Sequence, residues 1–399
     1  MKYSNVFFAV GFFISISSLP TLFFLIPGGA LNVLSCIIAL PILLLLLILN
    51  GGYKFPCDNL LIVAQVCLIF IYFLGVSVSL VSNDFFELFA SAIRYFSYFI
   101  FFIVAYNLSL SGHLTIKKFD KFIVFLVMVL LFFSVYQILS GTRPFMNGAY
   151  RLSSIFGPTP AGFALVLLFC SIYLWHRRNV ARYYEFLFIS SVAMVLLVHS
   201  RQAIVTVFIS IFLILFLKSK LHKKIAYLLI FSLFVLLFYW VVLNTDFLPR
   251  FTDMLTRDGV DGSTLTRIRI FETVVNSLDY YEKVFGVGLG GFNHFYGDIT
   301  GKLGVAAHND FLLFYIETGA VGLILYVIYL FTLLLFSFRR SNENTDRDFK
   351  SVMFVLYVSF PVMSFINNPY YYPQVQWLIL TFIGILLGHE KRLRCKANA

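Results

Sequence analysis

Apolar runs long enough to cross a lipid bilayer recur from one end of this chain to the other. A helix needs about 20 apolar residues to cross the hydrocarbon core, and open sheets cannot cross it because their backbone polar groups would lack partners. Only 12% of the 399 residues are charged, whereas soluble proteins have about 25%. The sequence therefore predicts an all-α, polytopic integral membrane protein.

The hydropathy pattern predicts about twelve membrane-spanning helices. The first apolar run has only Lys2 as a charged flank and no clear cleavage site, so we expect a retained helix rather than a cleaved signal. Four of the runs are short for a full crossing, and merged or re-entrant segments there would change the count. The predicted spans are 6–26, 31–50, 60–81, 85–106, 119–140, 160–175, 184–199, 201–217, 225–243, 309–337, 350–367 and 374–389.

These spans divide the chain into three parts. Residues 1–243 hold predicted helices one to nine, 244–308 form one long polar loop, and 309–399 hold helices ten to twelve with a tail. With both termini in the cytoplasm, twenty of the thirty Lys and Arg residues lie on the inner side, as the positive-inside rule requires. The net charge of +11 mostly reflects this asymmetry, and it does not indicate nucleic-acid binding.

Several arginines oppose that rule. The guanidinium group suits bidentate binding of phosphate, although lipid phosphates or acidic residues on the same side could also pair with these arginines. Arg94 lies within predicted span four, where it needs an ion partner or a water-filled cavity. It could line a substrate groove or form a structural ion pair. The arginines predicted on the outer side are Arg143, Arg151, Arg201, Arg267 and Arg269.

The long loop has structure of its own. Apolar residues recur at helical spacing over Phe247–Leu255 and Ile268–Tyr281, which predicts two amphipathic helices, with a flexible turn over Asp258–Thr264. The glycines of GVGLGGF, 286–292, predict a tight turn whose backbone approaches a helix or substrate closely. No strand–helix–strand pattern surrounds its GxGxxG match, so we do not interpret it as a dinucleotide site.

The loop ends in ionisable residues that run directly into an apolar helix. An imidazole pKa of about 6.5 would suit His308 for accepting a proton, although this residue could instead cap the helix. Glu317 follows about 13 Å deeper along the helix, where pairing within the bundle is expected. Tyr370–Tyr372 are interpreted as an interfacial aromatic belt, with sugar stacking as the alternative. The cysteine spacings predict no metal site.

Four blocks of sequence, in this order, resemble the O-antigen polymerase and O-antigen ligase superfamily. They are RLSSIFGPTPAGFAL at 151–165, SRQA at 200–203, TRIRIFETVVNSLDYYEKVFGVGLGGF at 266–292 and AHNDFLLFYIETGAVGLILY at 307–326. Phe271 stands where many members have tryptophan. The resemblance implies a GT-C-like glycosyltransferase of the bacterial inner membrane that faces the periplasm and acts in lipopolysaccharide biosynthesis.

The resemblance also implies a reaction and its residues. Members transfer a glycan from undecaprenyl diphosphate to a hydroxyl group, without a metal or cofactor. Arg201 and Arg267 match the arginines of the family and are assigned to the diphosphate, with Arg269 and Arg151 as second choices. His308 matches the family histidine and is assigned to the acceptor hydroxyl. The supporting residues are expected to be Asn309, Asp310, Glu317 and Arg94.

Two functions share this donor and differ in the acceptor. A polymerase joins lipid-linked repeat units, and a ligase moves finished O-antigen to lipid A–core; the spacing from GVGLGGF to AHNDFLLFYIETG favours the polymerase. A transporter or flippase is less favoured, because the sequence shows no internal repeat. The expected partners are the undecaprenyl-diphosphate-linked glycan and the bilayer, with a chain-length regulator and a flippase as further partners.

Overall fold

The protein is almost entirely helical in a computed structural model, as predicted. The structure describes residues 3–17, 28–54, 59–80, 85–146, 149–156, 160–244, 262–302, 307–338, 344–364 and 368–397. Its helices are α1 Tyr3–Ile16, α2 Gly28–Leu49, α3 Asn59–Ser79, α4 Phe85–Leu110, α5 Ile116–Leu139, α6 Pro160–Arg177, α7 Arg182–Leu197, α8 Arg201–Lys218, α9 Leu221–Asn244, α10 Gly262–Ser277, α11 Tyr280–Phe285, α12 Phe292–Thr300, α13 Asp310–Phe338, α14 Asn344–Ser364 and α15 Pro373–Ala397.

The described parts of the twelve predicted spans fall on these helices, namely α1 to α9 and α13 to α15. Among the described residues, seven helices are long and apolar enough to cross a membrane by length and composition. The apolar helices at Tyr3–Ile16, Gln202–Leu217 and Ser351–Ser364 are shorter. The polytopic, all-helical fold class is therefore confirmed, with one addition. Two-residue strands, β1 Phe145–Met146 and β2 Ala149–Tyr150, pair antiparallel between α5 and α6, and their length leaves almost no signal in the sequence.

Helices α4 and α15 pack closely through glycines four residues apart. A Cβ atom on Gly384 would lie 2.9 Å from the backbone nitrogen of Tyr106, and one on Gly388 would lie 2.5 Å from the carbonyl oxygen of Tyr106. The hydroxyl of Ser109 donates to the carbonyl of Ile385 at 2.8 Å. Small residues permit such approach, and packing rather than hydrophobicity drives association between helices in lipid.

A buried ion pair joins α5 to α6 at the opposite end of the bundle from the long loop. Arg177 Nη2 lies 2.6 Å from Asp120 Oδ2, and the Tyr173 hydroxyl donates to Asp120 Oδ1 at 2.7 Å. Breaking a buried pair by removing one partner is costly because it leaves an uncompensated charge. These contacts therefore fix the two helices against each other.

Helix α13 is interrupted near its beginning. Gly319 has φ 66 and ψ −169, so the regular hydrogen bonding stops there. The backbone nitrogen of Val287 donates to the carbonyl of Ile316 at 2.8 Å, and that of Gly288 donates to Glu317 at 3.1 Å. Non-helical backbone is tolerated at membrane depth when such partners are supplied by other parts of the protein.

The glycine-rich turn makes this contact possible and also reaches α3. Gly288 has φ 102, and a Cβ atom there would lie 2.8 Å from the Ser79 backbone. A Cβ atom on Gly286 would collide with the backbone of Glu317 and Thr318. The Ser79 hydroxyl donates to the carbonyl of Leu289 at 3.1 Å. The predicted close approach of the GVGLGGF backbone to a helix is confirmed.

Two predictions for the long loop were wrong in detail. The single helix expected over Ile268–Tyr281 is instead two helices, α10 and α11, because Asp279 caps the start of α11. The Asp279 carboxylate accepts a hydrogen bond from Glu282 N at 2.7 Å, and the Glu282 carboxylate accepts one from Asp279 N at 2.8 Å. The two hydrogen bonds together form a capping box. Helix α10 already begins at Gly262, within the predicted turn Asp258–Thr264, because Ser and Thr favour helix starts as well as turns. The predicted helix Phe247–Leu255 lies outside the described residues.

We predict that Gly384→Leu lowers stability by about 1–3 kcal/mol, because the added side chain overpacks the α4–α15 contact. The matched control is Ala226→Leu, at an exposed position of α9. The measurement is the thermal unfolding midpoint of purified protein in detergent. Equal midpoints for the two variants would contradict the close glycine-mediated packing.

Candidate active site

His308 immediately precedes the cap of α13. The Asn309 side chain accepts a hydrogen bond from Leu312 N at 3.1 Å, and Leu313 N donates to the Asn309 carbonyl at 2.9 Å. Asn309 therefore caps the helix, and the interpretation of His308 as the cap was wrong. His308 has φ 53, a left-handed conformation that is uncommon for a residue other than glycine, and its side chain is exposed.

Helix α10 docks beside His308. Its buried residues Ile270 and Val274 belong to a small apolar cluster that includes Leu312 of α13. Arg267 lies three residues before Ile270 and seven before Val274, so it shares their face of the helix. Its side chain is partly buried. Arg269 lies on a different face and is exposed. The sequence motif TRIR does not show which arginine lies nearer to His308, whereas the packing of α10 places Arg267 on the face that contacts α13.

Arg267 and His308 interact electrostatically. Surrounding protein atoms shield the His308 side chain from part of the solvent although it is exposed at the surface, which lowers its pKa, and the positive charge of Arg267 lowers the pKa further. A lowered pKa favours the neutral imidazole near pH 7, and the neutral form is the one able to accept a proton. The pair thus places a proton acceptor beside a group suited to binding an anion.

The side chain of Arg151 is bound to the turn between α7 and α8. Its side chain is buried, and its Nε donates to the carbonyl of Val198 at 3.0 Å. Its backbone nitrogen donates to Pro144 O at 2.9 Å, which ties it to the hairpin. Arg201 is the first residue of α8, after Ser200, but its side chain lies outside the described part of the structure. The role predicted for Arg201 therefore stays a prediction.

Asp310 is fully buried and fastens the tyrosine segment 370–372 to α13. Its Oδ2 accepts hydrogen bonds from the backbone nitrogen of Tyr370 and from the hydroxyl of Ser364, each at 3.0 Å. The pKa of Tyr372 is raised to about 12, mainly by burial and also by Tyr371 and Asp310, while Arg151 acts to lower it. Both charged groups therefore lie near Tyr372. Asp310 supports the site by holding this segment in position.

The tyrosine segment was predicted as an interfacial belt, which is wrong for Tyr370. This residue is buried, and its ring lies 5.3 Å from that of Tyr95 and 5.6 Å from that of Tyr98, centroid to centroid. The polar segment NNPYYYP looks in sequence like a surface turn. Tyr370 enters the bundle because Asp310 binds its backbone nitrogen, a contact between residues sixty positions apart that local pattern cannot show.

Arg94 and Glu317 lie deeper, beside the same tyrosines. The Arg94 guanidinium carbon is 4.0 Å from the centroid of the Tyr371 ring, a cation–π contact. Among the residues that the structure describes, Arg94 forms no ion pair with a carboxylate, so the structural ion-pair interpretation is not supported there. Glu317 is buried, as expected, and interacts electrostatically with Tyr95. Arg143 faces Tyr150 in the hairpin, with its guanidinium carbon 5.9 Å from the ring.

We predict that His308 titrates below the ordinary histidine pKa of about 6.5 and that Arg267→Gln raises its pKa, because loss of a neighbouring positive charge favours the protonated imidazole. The measurement is an NMR pH titration of histidine-labelled protein, with His308 assigned by the signal lost in His308→Ala. Arg269→Gln is the matched control and should leave the pKa unchanged. An equal shift in both variants would contradict the placement of Arg267.

Asp310→Ala should destabilise the protein more than Ser364→Ala. The first change leaves two buried donors without their acceptor, at about 1–3 kcal/mol for each unsatisfied group, whereas the second removes a single donor. Thermal unfolding of the purified variants measures the difference. If Asp310→Ala were as stable as Ser364→Ala, Asp310 would not be the anchor of the tyrosine segment.

Comparison with known proteins finds a family match over the segment that holds most of these residues. Residues 186–327 match the O-antigen ligase family model, Wzy_C, a segment that begins in α7 and ends within α13. No curated protein matches the chain. The matched segment contains His308, Arg267, Arg269 and Arg201, and Arg151 precedes it. Residues 186–327 are thus similar to the O-antigen ligase family, which is consistent with the O-antigen polymerase and ligase superfamily.

Proposed function

We propose that the protein is an O-antigen polymerase that joins undecaprenyl-diphosphate-linked oligosaccharide repeat units on the periplasmic face of the bacterial inner membrane. The observation that carries this proposal is the neutral-favouring environment of His308 beside Arg267, within the segment that matches the O-antigen ligase domain. The Lys and Arg asymmetry supports cytoplasmic termini, which would place this site on the periplasmic side.

In the proposed reaction, the acceptor hydroxyl attacks the anomeric carbon of the donor glycan. The carbon–oxygen bond to the diphosphate breaks, a new glycosidic bond forms, and the hydroxyl proton passes to the neutral imidazole of His308. The lipid diphosphate leaves as an anion. A base that is unprotonated near neutral pH suits this step.

The arginines have the complementary task of stabilising the leaving group. Arg267 beside His308 is the first candidate, and Arg201, Arg151 and Arg269 are the others. Preorganised donors near developing charge typically contribute about 3–4 kcal/mol to lowering a barrier. Guanidinium groups would supply this stabilisation in place of a metal ion, because each can bind two phosphate oxygens at once.

The second candidate function is an O-antigen ligase that transfers the lipid-linked glycan to lipid A–core. The description of the matching family model favours it. Both functions use the same donor and the same candidate groups, so the acceptor alone separates them. The sequence spacing from the glycine-rich turn to His308 is our reason for preferring the polymerase.

The test is a gel profile of surface polysaccharide from a deletion strain complemented with wild type or variants. For a polymerase, deletion leaves core carrying a single repeat unit. For a ligase, deletion leaves bare core while long lipid-linked polymer accumulates. An unchanged ladder with normal lipid-linked precursors would exclude both functions.

We predict that His308→Ala fails to restore the ladder, because the acceptor hydroxyl loses its proton acceptor; general bases typically contribute about 10²–10⁴-fold to rate. His294→Ala, at another histidine of the long loop, is the matched control and should restore it. Membrane abundance of each variant is measured in parallel. A wild-type ladder with His308→Ala at normal abundance would show that the catalytic assignment is wrong.

A further inference from the structure

An apolar cavity of about 250 Å³ lies between α3, α4, α13 and α15. Leu61 and Leu68 of α3, Phe102 of α4, Leu333 of α13 and Ile383 of α15 contribute to its wall. Few polar atoms line the cavity. Ligand sites of this kind combine an apolar lining with a small number of placed polar groups, and the shape suits the apolar part of an amphipathic molecule.

The cavity borders the lipid-facing surface of the bundle. Phe73 of α3 and Phe96 of α4 both line it and are 61% and 38% exposed. Exposed apolar side chains on membrane-spanning helices face the hydrocarbon region of the bilayer. An apolar chain could therefore enter from the side, between α3 and α4, without passing through water.

Tyrosines next to the candidate active site also line the cavity. Tyr95, Tyr98 and Tyr370 form this part of the wall, and Tyr370 is the residue whose backbone nitrogen binds Asp310 at 3.0 Å. The tyrosines thus separate the apolar cavity from the charged residues at the loop end. A molecule lying in the cavity would have its head beside those residues.

A buried cation lies beside these tyrosines. Arg94 is 6% exposed and adjoins Tyr95 in sequence. Its Nη1 and the hydroxyl of Tyr98 are both buried without a hydrogen-bond partner among the described residues, and the two side chains interact electrostatically. Charged groups inside a membrane protein are costly and usually functional. An anionic group placed here would accept hydrogen bonds from both.

We propose that the cavity binds the phosphate-proximal part of the isoprenoid chain of the lipid-linked donor and that Arg94 and Tyr98 bind a phosphate oxygen at the head of that chain. This rests on the proposed function, which supplies a lipid diphosphate as substrate. A polyprenyl lipid carries one chain below its phosphate, and a single cavity of this size can hold the first part of one chain, whereas a phospholipid carries two.

The test uses undecaprenyl diphosphate with a photoreactive diazirine in its isoprenoid chain and the full-length protein in detergent. Mass spectrometry locates the labelled residues after irradiation. Labelling is expected on cavity-lining residues such as Phe99 and Tyr357. Arg94→Gln should reduce this labelling about tenfold at limiting probe, as expected for the loss of one charge-assisted hydrogen bond.

A matched pair of variants on α3 tests the cavity itself. Leu68→Trp adds bulk inside the cavity and should abolish labelling there, whereas Val66→Trp adds the same bulk to the exposed face of the same helix, where Val66 is 42% exposed, and should leave it intact. Both variants are compared by size-exclusion chromatography and thermal unfolding. Labelling that is unaffected by Leu68→Trp, or that maps outside the cavity, would overturn the proposal.

Competition distinguishes the donor from other anionic lipids. Unlabelled undecaprenyl diphosphate should displace the probe, and an equal excess of phosphatidylglycerol should not; equal displacement by both would overturn the assignment to the donor. The binding assay requires no glycan transfer. If the cavity is labelled but deletion leaves the polysaccharide ladder unchanged, the lipid site stands and the proposed function is wrong. If deletion changes the ladder but the cavity is not labelled, the proposed function stands and the lipid site is wrong.

Discussion

The hydrogen bonds between the glycine-rich turn and the interrupted helix α13 are the contacts on which the site depends. Apolar surroundings offer no water to the carbonyls of Ile316 and Glu317, so the break at Gly319 persists because Val287 and Gly288 supply the missing donors. The same turn binds α3 through Ser79. These contacts hold the long loop against the helix bundle. Helix α10 packs beside His308, and Arg267 lies on the buried face of α10.

Charged groups inside the protein are accommodated in three ways. Asp120 is neutralised by Arg177 at 2.6 Å. Asp310 accepts two hydrogen bonds through Oδ2. Arg94 lies over the ring of Tyr371 and, within the described residues, has no carboxylate partner. The first two arrangements give each buried carboxyl group hydrogen-bonding partners, which reduces the free-energy cost of burying it. The third leaves a buried cation whose best partner is a bound anion.

Sequence reasoning recovered the helices well and their mutual contacts poorly. Long apolar runs carry a strong signal, because crossing a bilayer requires length and hydrophobicity that few other structures need. The break between α10 and α11 was missed, since the capping box at Asp279 lies within a continuous helical periodicity. The placement of Arg267 rather than Arg269 toward His308, and the burial of Tyr370, depend on contacts between distant residues. The order of motifs predicted candidate site residues, whose roles stay predictions, and tertiary packing determined their arrangement.

The hydrogen bonds between the glycine-rich turn and α13 use main-chain donors and acceptors. They require a particular backbone shape and glycine at positions 286, 288 and 319, but they do not depend on the side chains of the other residues. The outward-facing positions of the loop can therefore change during evolution while the backbone around the candidate site stays in register. A scaffold of this kind can vary the side chains that surround its candidate site without having to redesign its fold.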